Sequence, residues 1–198
     1  MKKNLIISVL MTIVTTVLLG IVYPLIVTGL AQVFFKDKAN GQLIVQNGQV
    51  IGSRIIGQAF SGATYFHSRP SAAGNGYDAA NSNGSQLGPT NHALIDRVKA
   101  DVASNKPDNP GQPVPIDLVT ASASGLDPDI SPAAAEFQIP RVAKQRGVSE
   151  EQIRRLVQFH TQPRQLGFLG EPRVNVLELN LDLDSKFPQK AVAALDLR

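Results

Sequence analysis

Between Asn4 and Phe35 the chain carries no ionisable side chain other than Tyr23, and Leu, Ile, Val and Thr dominate the run. Crossing the hydrocarbon of a bilayer takes an α-helix of ~20 residues, and this run is longer. A cleaved signal peptide also begins with positive residues, as Lys2 and Lys3 would supply, but its apolar region is usually about 7 to 15 residues. Only Gly29-Leu30-Ala31 faintly resembles a cleavage site, so the segment reads as a retained membrane anchor. As one helix, residues 5–35 would be ~46 Å long, which leaves about a third of it beyond the hydrocarbon or requires tilt. Tyr23 and Pro24 fall where that surplus begins; the tyrosine ring suits headgroup depth and the proline permits a kink. Lys2, Lys3 and the terminal amine flank one side, against Lys36, Asp37 and Lys38 on the other. By the positive-inside tendency this puts residues 1–4 in the cytoplasm, 5–35 across the membrane and 36–198 outside as one domain.

The remaining pattern predicts an α+β fold in which a small sheet meets packed helices. Asn47-Gly48 between two β-rich runs of 42–56 predicts a type I′ hairpin. Residues 57–89 are rich in Gly, Ser, Ala and Asn, interleaved with Phe60, Tyr65, Phe66 and Tyr77, and read as a long functional loop. Thr90 or Asn91 caps a helix with Leu94, Val98 and Val102 on one stripe, ending near Asn105. A proline-rich linker over 106–115 precedes an expected short strand, Ile116 to Thr120. Ser131-Pro132 opens a helix that Pro140 should end or kink and Gly147 should stop. Ser149 to Gln152 is a capping box for a third helix. The alternation from Val174 through Leu183 predicts a strand, with a bulge or strand end where the phase slips at Val176-Leu177.

Charge and residue types exclude several chemistries. Lys and Arg number 19 against 16 for Asp and Glu, and setting aside Lys2 and Lys3 leaves 17 against 16, no footprint for nucleic acid. With no cysteine there is no thiol nucleophile, zinc ribbon or disulfide scaffold. No Walker loop occurs, Ser124 lacks the glycine that a nucleophile elbow needs two residues earlier, and His67, His92 and His160 have no ligand spacing. Asp127 and Asp129 imitate the start of a calcium loop, but Pro132 and Gln138 replace its glycine and glutamate, so both aspartates read as turn and capping groups. Arg141, Lys144, Arg146, Arg154, Arg155 and Arg164 outnumber Glu150 and Glu151, which reads as a solvated helical face ahead of a surface for anionic lipid or an acidic partner.

Five motifs in order carry a family resemblance: Tyr65-Phe-His-Ser-Arg-Pro-Ser71, Gly84-Ser-Gln-Leu-Gly-Pro-Thr-Asn91, Leu118-Val-Thr-Ala-Ser-Ala-Ser-Gly-Leu-Asp127, Ile139-Pro-Arg-Val-Ala-Lys144 and Val174-Asn-Val-Leu-Glu-Leu-Asn180. Behind one N-terminal span they resemble the C subunit of the bacterial potassium-transporting Kdp ATPase. Gln86 and Asp129 depart from the residues often seen there. The resemblance implies an accessory subunit without a catalytic or metal site of its own. Its partners would be a channel-like potassium-binding subunit, a P-type ATPase subunit, a small membrane peptide and membrane lipid. ATP and potassium would be substrates of the complex, with no cofactor bound directly by this chain. The family role implied is a catalytic chaperone that raises the ATP affinity of the hydrolysing subunit. With the domain outside, that effect would have to be indirect. Candidate interface residues from the motifs are Tyr65, Phe66, Arg69, Pro70, Ser71, Gly84, Ser85, Leu87, Gly88, Ser122, Ser124, Gly125, Leu126, Asp127, Arg141, Asn175 and Asn180, with Tyr23 and Pro24 at the membrane interface. The alternative is a free membrane-anchored extracytoplasmic module that binds a ligand on the loop of residues 57–89.

Overall fold

The structure, a computed structural model, describes residues 1–188, in two compact units that meet in sequence between Ser53 and Arg54. In the first unit, α1 (Lys2–Val17) passes through a π-helical turn, Leu18–Val22, into α2 (Tyr23–Phe34). The widened turn sits immediately before Pro24. Proline has no N–H for the carbonyl four residues earlier and its ring crowds that carbonyl, so a turn with one extra residue accommodates both. The 33-residue apolar helix has no buried residue. Its hydroxyls turn back on the helix: Ser8 Oγ donates to Asn4 O at 2.8 Å, Thr12 Oγ1 to Ser8 O at 2.9 Å and Thr15 Oγ1 to Met11 O at 2.8 Å. A polar side chain satisfied in this way is tolerated in hydrocarbon. Phe35 leaves helical geometry, and one more turn, α3 (Lys36–Ala39), leads to β1 (Leu43–Gln46) and β2 (Gln49–Ser53). These strands are antiparallel, joined through Asn47 (φ 52°) and Gly48 (φ 78°), the type I′ geometry expected of Asn-Gly.

The second unit has a three-stranded antiparallel sheet in the order β3 (Asp129–Ile130), β5 (Arg173–Asn175), β4 (Thr161–Gln162). Three helices pack with it: α5 (Pro132–Arg146), α6 (Glu150–His160) and α7 (Val176–Lys186). Their apolar faces, with Phe137, Ile139, Val142, Ile153, Leu156, Leu179 and Leu183, close over Ile130 and Val174, and Phe66 from the long loop is fully buried among them. The expected caps form. Ser131 Oγ accepts from Ala134 N at 3.2 Å, Ser149 and Gln152 make both halves of the capping box, and Gly147 ends α5 at φ 66°. Asn91 caps α4 (His92–Asn105), which has no buried residue and carries its stripe at the edge of the unit.

Four expectations are corrected. Residues 116–118 form a 3₁₀ turn instead of a strand. Leu118 and Val119 are buried in succession while Ile116 is 71% exposed, which no alternating strand permits. Thr120 Oγ1 closes the turn by donating to Ile116 O at 2.8 Å. Secondly, of the end or kink expected at Pro140, the end is absent: α5 runs through it to Arg146. Ile139, Val142, Ala143 and Arg146 are buried on both sides of it, and the bond forgone at the Glu136 carbonyl lies at an exposed residue. Thirdly, the leucine alternation after Asn175 is helical. The strand does end at the phase slip, and Val176, Leu179 and Leu183 then share a helix face at i, i+3 and i+7. Asn175 makes the switch by accepting from Glu178 N at 3.1 Å as the helix cap. Finally, the six basic residues do not form one solvated face: the Arg146 side chain is fully buried and Arg141 nearly so. The tail from Lys186, which the sequence left without character, lies beyond residue 188 outside the described residues for most of its length.

Candidate functional site

The five motifs meet around the loop of residues 57–91, which contains one 3₁₀ turn, Ala79–Asn81, and otherwise no regular structure. Helix side chains hold its backbone. Phe66 N donates to Asn180 Oδ1 at 2.9 Å and Asn180 Nδ2 donates to Phe66 O at 2.9 Å, so one buried amide serves both polar groups of a buried residue. At the next residue Gln138 repeats the arrangement: His67 N donates to Oε1 at 2.7 Å and Nε2 donates to His67 O at 3.2 Å. The remaining capacity of Gln138 is taken by Ala134 O at 3.2 Å and the Arg141 guanidinium at 2.7 Å. These amides stand in for the neighbouring strand that an extended segment would otherwise require.

Two arginines complete the grip. Arg141 donates to Ala63 O at 2.6 Å and Tyr65 O at 2.9 Å, and its Nε meets Asp108 at 2.6 Å. Arg146 donates to Thr64 O and Phe187 O, both at 2.9 Å, pairs with Asp184 at 2.8 Å, and lies 4.9 Å from the Tyr65 ring centroid. The Tyr65 hydroxyl donates to Asp184 Oδ2 at 3.0 Å; burial, then this carboxylate, push its pKa above the ordinary tyrosine value. Burial and the Arg141 charge hold the His67 imidazole below its ordinary pKa, in keeping with a neutral ring whose Nε2 lies 3.1 Å from Gly62 O.

The second half of the site is a joint between the loop and residues 120–127. Arg69 bonds Thr120 O at 3.3 Å and Asp127 Oδ2 at 3.0 Å, and the Tyr77 hydroxyl donates to Arg69 O. Ser71 Oγ donates to Gly125 O at 2.6 Å and accepts from Tyr77 N at 2.8 Å. Gly125 has φ 68°, and a Cβ there would lie 2.6 Å from Asn83 O and 2.7 Å from Ala73 N. Neither the conformation nor the space admits a side chain. Asn83 N donates to Ser124 O at 3.0 Å, and Ser122 accepts through its carbonyl from Gly125 N. Gly84 packs against Ala123, where an added Cβ would come within 2.9 Å of the carbonyl.

Of the sequence candidates, Tyr65, Phe66, Arg141 and Asn180 belong to the grip, and Arg69, Ser71, Gly84, Ser122, Ser124, Gly125, Asp127 to the joint. Leu126 O accepts from Gly57 N at 2.8 Å, tying the start of the loop to the same joint. Pro70 and Leu87 are half-buried and Gly88 is exposed. Ser85 lines a shallow depression of about 500 Å³ with Asn83, Gln86 and Ala121 to Ala123. Asn175 lies apart from both clusters, bonding Arg54 O at 2.8 Å and Asp129 Oδ1 at 3.2 Å; Tyr23 and Pro24 are exposed on the apolar helix. Asp129 is no cap: it pairs with Arg173 at 3.1 Å, and burial raises its pKa despite that partner. The sequence missed Gln138 and Asp184. Gln138 could have been found as a lone amide on the stripe of Ala134, Ala135, Ile139 and Val142.

The charges of the arrangement are paired among themselves. Arg69, Arg141 and Arg146 are each matched by an aspartate, and among the described residues no group of three His, Asp or Glu side chains is placed to share a metal ion. What it does is fix a shape. The family model described as "K+-transporting ATPase, c chain", KdpC, matches residues 5–185. The chain belongs to the KdpC family. Curated relatives agree along nearly the whole length. A potassium-transporting ATPase KdpC subunit of Koribacter versatilis is 71% identical over 95% of this chain and 97% of its own. The subunit of Acidobacterium capsulatum is 62% identical over 89% and 95%. That of Rhodopseudomonas palustris is 56% identical over 93% and 99%.

Proposed function

We propose that this chain is a non-catalytic, membrane-anchored subunit that supports assembly of an ATP-driven potassium import complex and tunes its ATP-hydrolysing subunit. The observation that carries the reading is the 33-residue apolar helix without one buried residue, which needs lipid or partner helices around it. The relatives' printed names supply the complex, and the charge-neutral motif clusters support a scaffold over a reaction centre. With residues 1–4 inside and the domain outside, this chain reaches no cytoplasmic nucleotide. A higher ATP affinity would then come from favouring one conformation of the partners, which is a coupling free energy between sites.

Two measurements test this. Solubilised in mild detergent, the chain should co-purify in fixed ratio with the channel-like and P-type subunits; recovery without them would favour the free binding module. The exposed Ser185 allows a single-thiol readout because the chain has no cysteine. Ser185→Cys should be labelled by an impermeant maleimide on intact spheroplasts, and labelling only after lysis would reverse the orientation.

A further inference from the structure

Where the apolar helix ends, the chain turns back on it. Gln42 N donates to Asp37 O at 3.0 Å, and Gln32 Nε2 on α2 donates to Asn40 Oδ1 at 3.1 Å, so Asn40 lies beside the last turns of the helix. Ser53 Oγ then donates to Gly41 O at 2.6 Å and fastens the far end of the β1–β2 hairpin to the same turn. Residues 42–53 are thus held at the helix end. One side of the hairpin is apolar: Val45 is paired with Val50, and Leu43 precedes Val45 by two residues. These three are 52–59% exposed, whereas Ile44 and Ile51 are half-buried. No residue from Ala39 to Ser53 is charged, Lys36 and Lys38 come just before, and residues 38–77 contain no carboxylate side chain.

We propose that the Leu43, Val45 and Val50 face lies in the headgroup layer of the bilayer that holds the helix, with Lys36 and Lys38 on anionic headgroups. The inference rests on the reading above of the helix as a membrane anchor. Helix length sets the depth. From Lys3 to Lys36 the helix is ~50 Å long, and a bilayer with its headgroups is ~40–45 Å thick. A tilt of about 25–35° therefore brings the two lysines to opposite headgroup layers. Tyr23 at headgroup depth would instead lift Lys36 by up to ~20 Å. Leu25, Leu30, Val33, Phe34 and Phe35, each 53–76% exposed, would then stand in water. The bilayer is the surface to which these residues are already tied, seven residues from Phe35 to Gln42. The lysines, with no carboxylate on the hairpin to oppose them, match its anionic lipids. The seat is the headgroup layer and not the hydrocarbon, because a two-stranded hairpin has open edges whose N–H and C=O groups need water.

The test uses the whole complex in nanodiscs containing phosphatidylglycerol. The chain has no cysteine, so Val45→Cys, Val50→Cys and, near the helix midpoint, Leu19→Cys each carry a single bimane label. Positions 45 and 50 should be quenched several-fold more by a lipid with a nitroxide on its headgroup than by one with a nitroxide deep in the acyl chain, and position 19 the reverse. Replacing phosphatidylglycerol by phosphatidylcholine should weaken the headgroup quenching at 45, and Lys36→Gln with Lys38→Gln should abolish that dependence. Labels at 45 and 50 that neither lipid quenches overturn the proposal. If such labels are shielded from aqueous iodide, a protein subunit covers the face; if iodide reaches them freely, nothing does. Headgroup quenching at 45 that ignores phosphatidylglycerol overturns the role of the lysines. Wild-type chain retained by membranes through an alkaline carbonate wash, with an unquenched hairpin, removes the seat and leaves the anchor standing. Release of the wild-type chain by that wash removes both.

Discussion

The helix Lys2–Phe34 and the loop of residues 57–91 invert the usual relation between regularity and support. The helix is regular along 33 residues and has no buried residue, whereas the loop is almost without regular structure and contains the fully buried Phe66. The helix satisfies its backbone internally, so it depends on its surroundings only to cover apolar side chains. The loop satisfies its backbone through Asn180, Gln138, Arg141 and Arg146, and its order is the order of the helices that carry them. Its hydrogen-bond partners lie far away in sequence, 114 residues for Phe66 and Asn180. An irregular segment can therefore be among the best determined parts of a domain when distant side chains take the place of a neighbouring strand.

The comparison breaks most readily at Arg146. Arg146→Leu leaves the Thr64 and Phe187 carbonyls without their buried donor and Asp184 without its pair. A loss of about 3 kcal/mol is expected, at the lower end for a broken buried pair because Asp184 is 42% exposed and water can serve it. Chemical denaturation of the full chain in detergent checks this. Gly125→Val should follow at about 2–3 kcal/mol, from the left-handed backbone and the overlap with Asn83 and Ala73. Complex yield and growth on micromolar potassium should fall with it. Asp129→Asn should cost below about 1 kcal/mol, since its ion pair is part-exposed and burial already disfavours its charge. The opposite order of these two variants would replace a packing joint with an ion site.

The smallest effect is a pH slope. His67 has its pKa depressed in the folded chain, so below about 6.5 the unfolded chain takes up a proton that the folded chain refuses. Stability should be full above that pH and fall as pH drops through the folded value. His67→Gln should flatten this part of the stability profile measured by denaturant titration. An unchanged slope would show that His67 takes up its proton as readily in the folded loop as in the unfolded chain.

Local chemistry was legible wherever a residue acts on its own neighbourhood. Asn47-Gly48 specifies its turn, Ser149 and Gln152 their box, and the uncharged run its helix, because the partners lie within four residues. Long-range substitution was not legible. Nothing local says that Asn180 serves Phe66, and the family motif, not spacing, brought it to notice. The leucines at 177, 179, 181 and 183 read as a strand because alternate positions were apolar, yet Val176, Leu179 and Leu183 were equally compatible with a helix and the Asn175 cap decides between them. The basic residues misled for a similar reason: α5 turns Arg141 and Arg146 inward to loop carbonyls that no composition window contains.

Amide hydrogen exchange on the full chain, resolved to single residues, tests the central contrast most directly. Phe66 N–H and His67 N–H, held by Asn180 and Gln138, should exchange only through global unfolding, as slowly as the amides of α5. The amides of β1 and β2, regular but with exposed apolar residues at Leu43, Val45 and Val50, should exchange by local opening. Fast exchange at Phe66 and His67 alongside protected hairpin amides would contradict the account, because the long loop would then owe its shape to something other than the side chains that grip it.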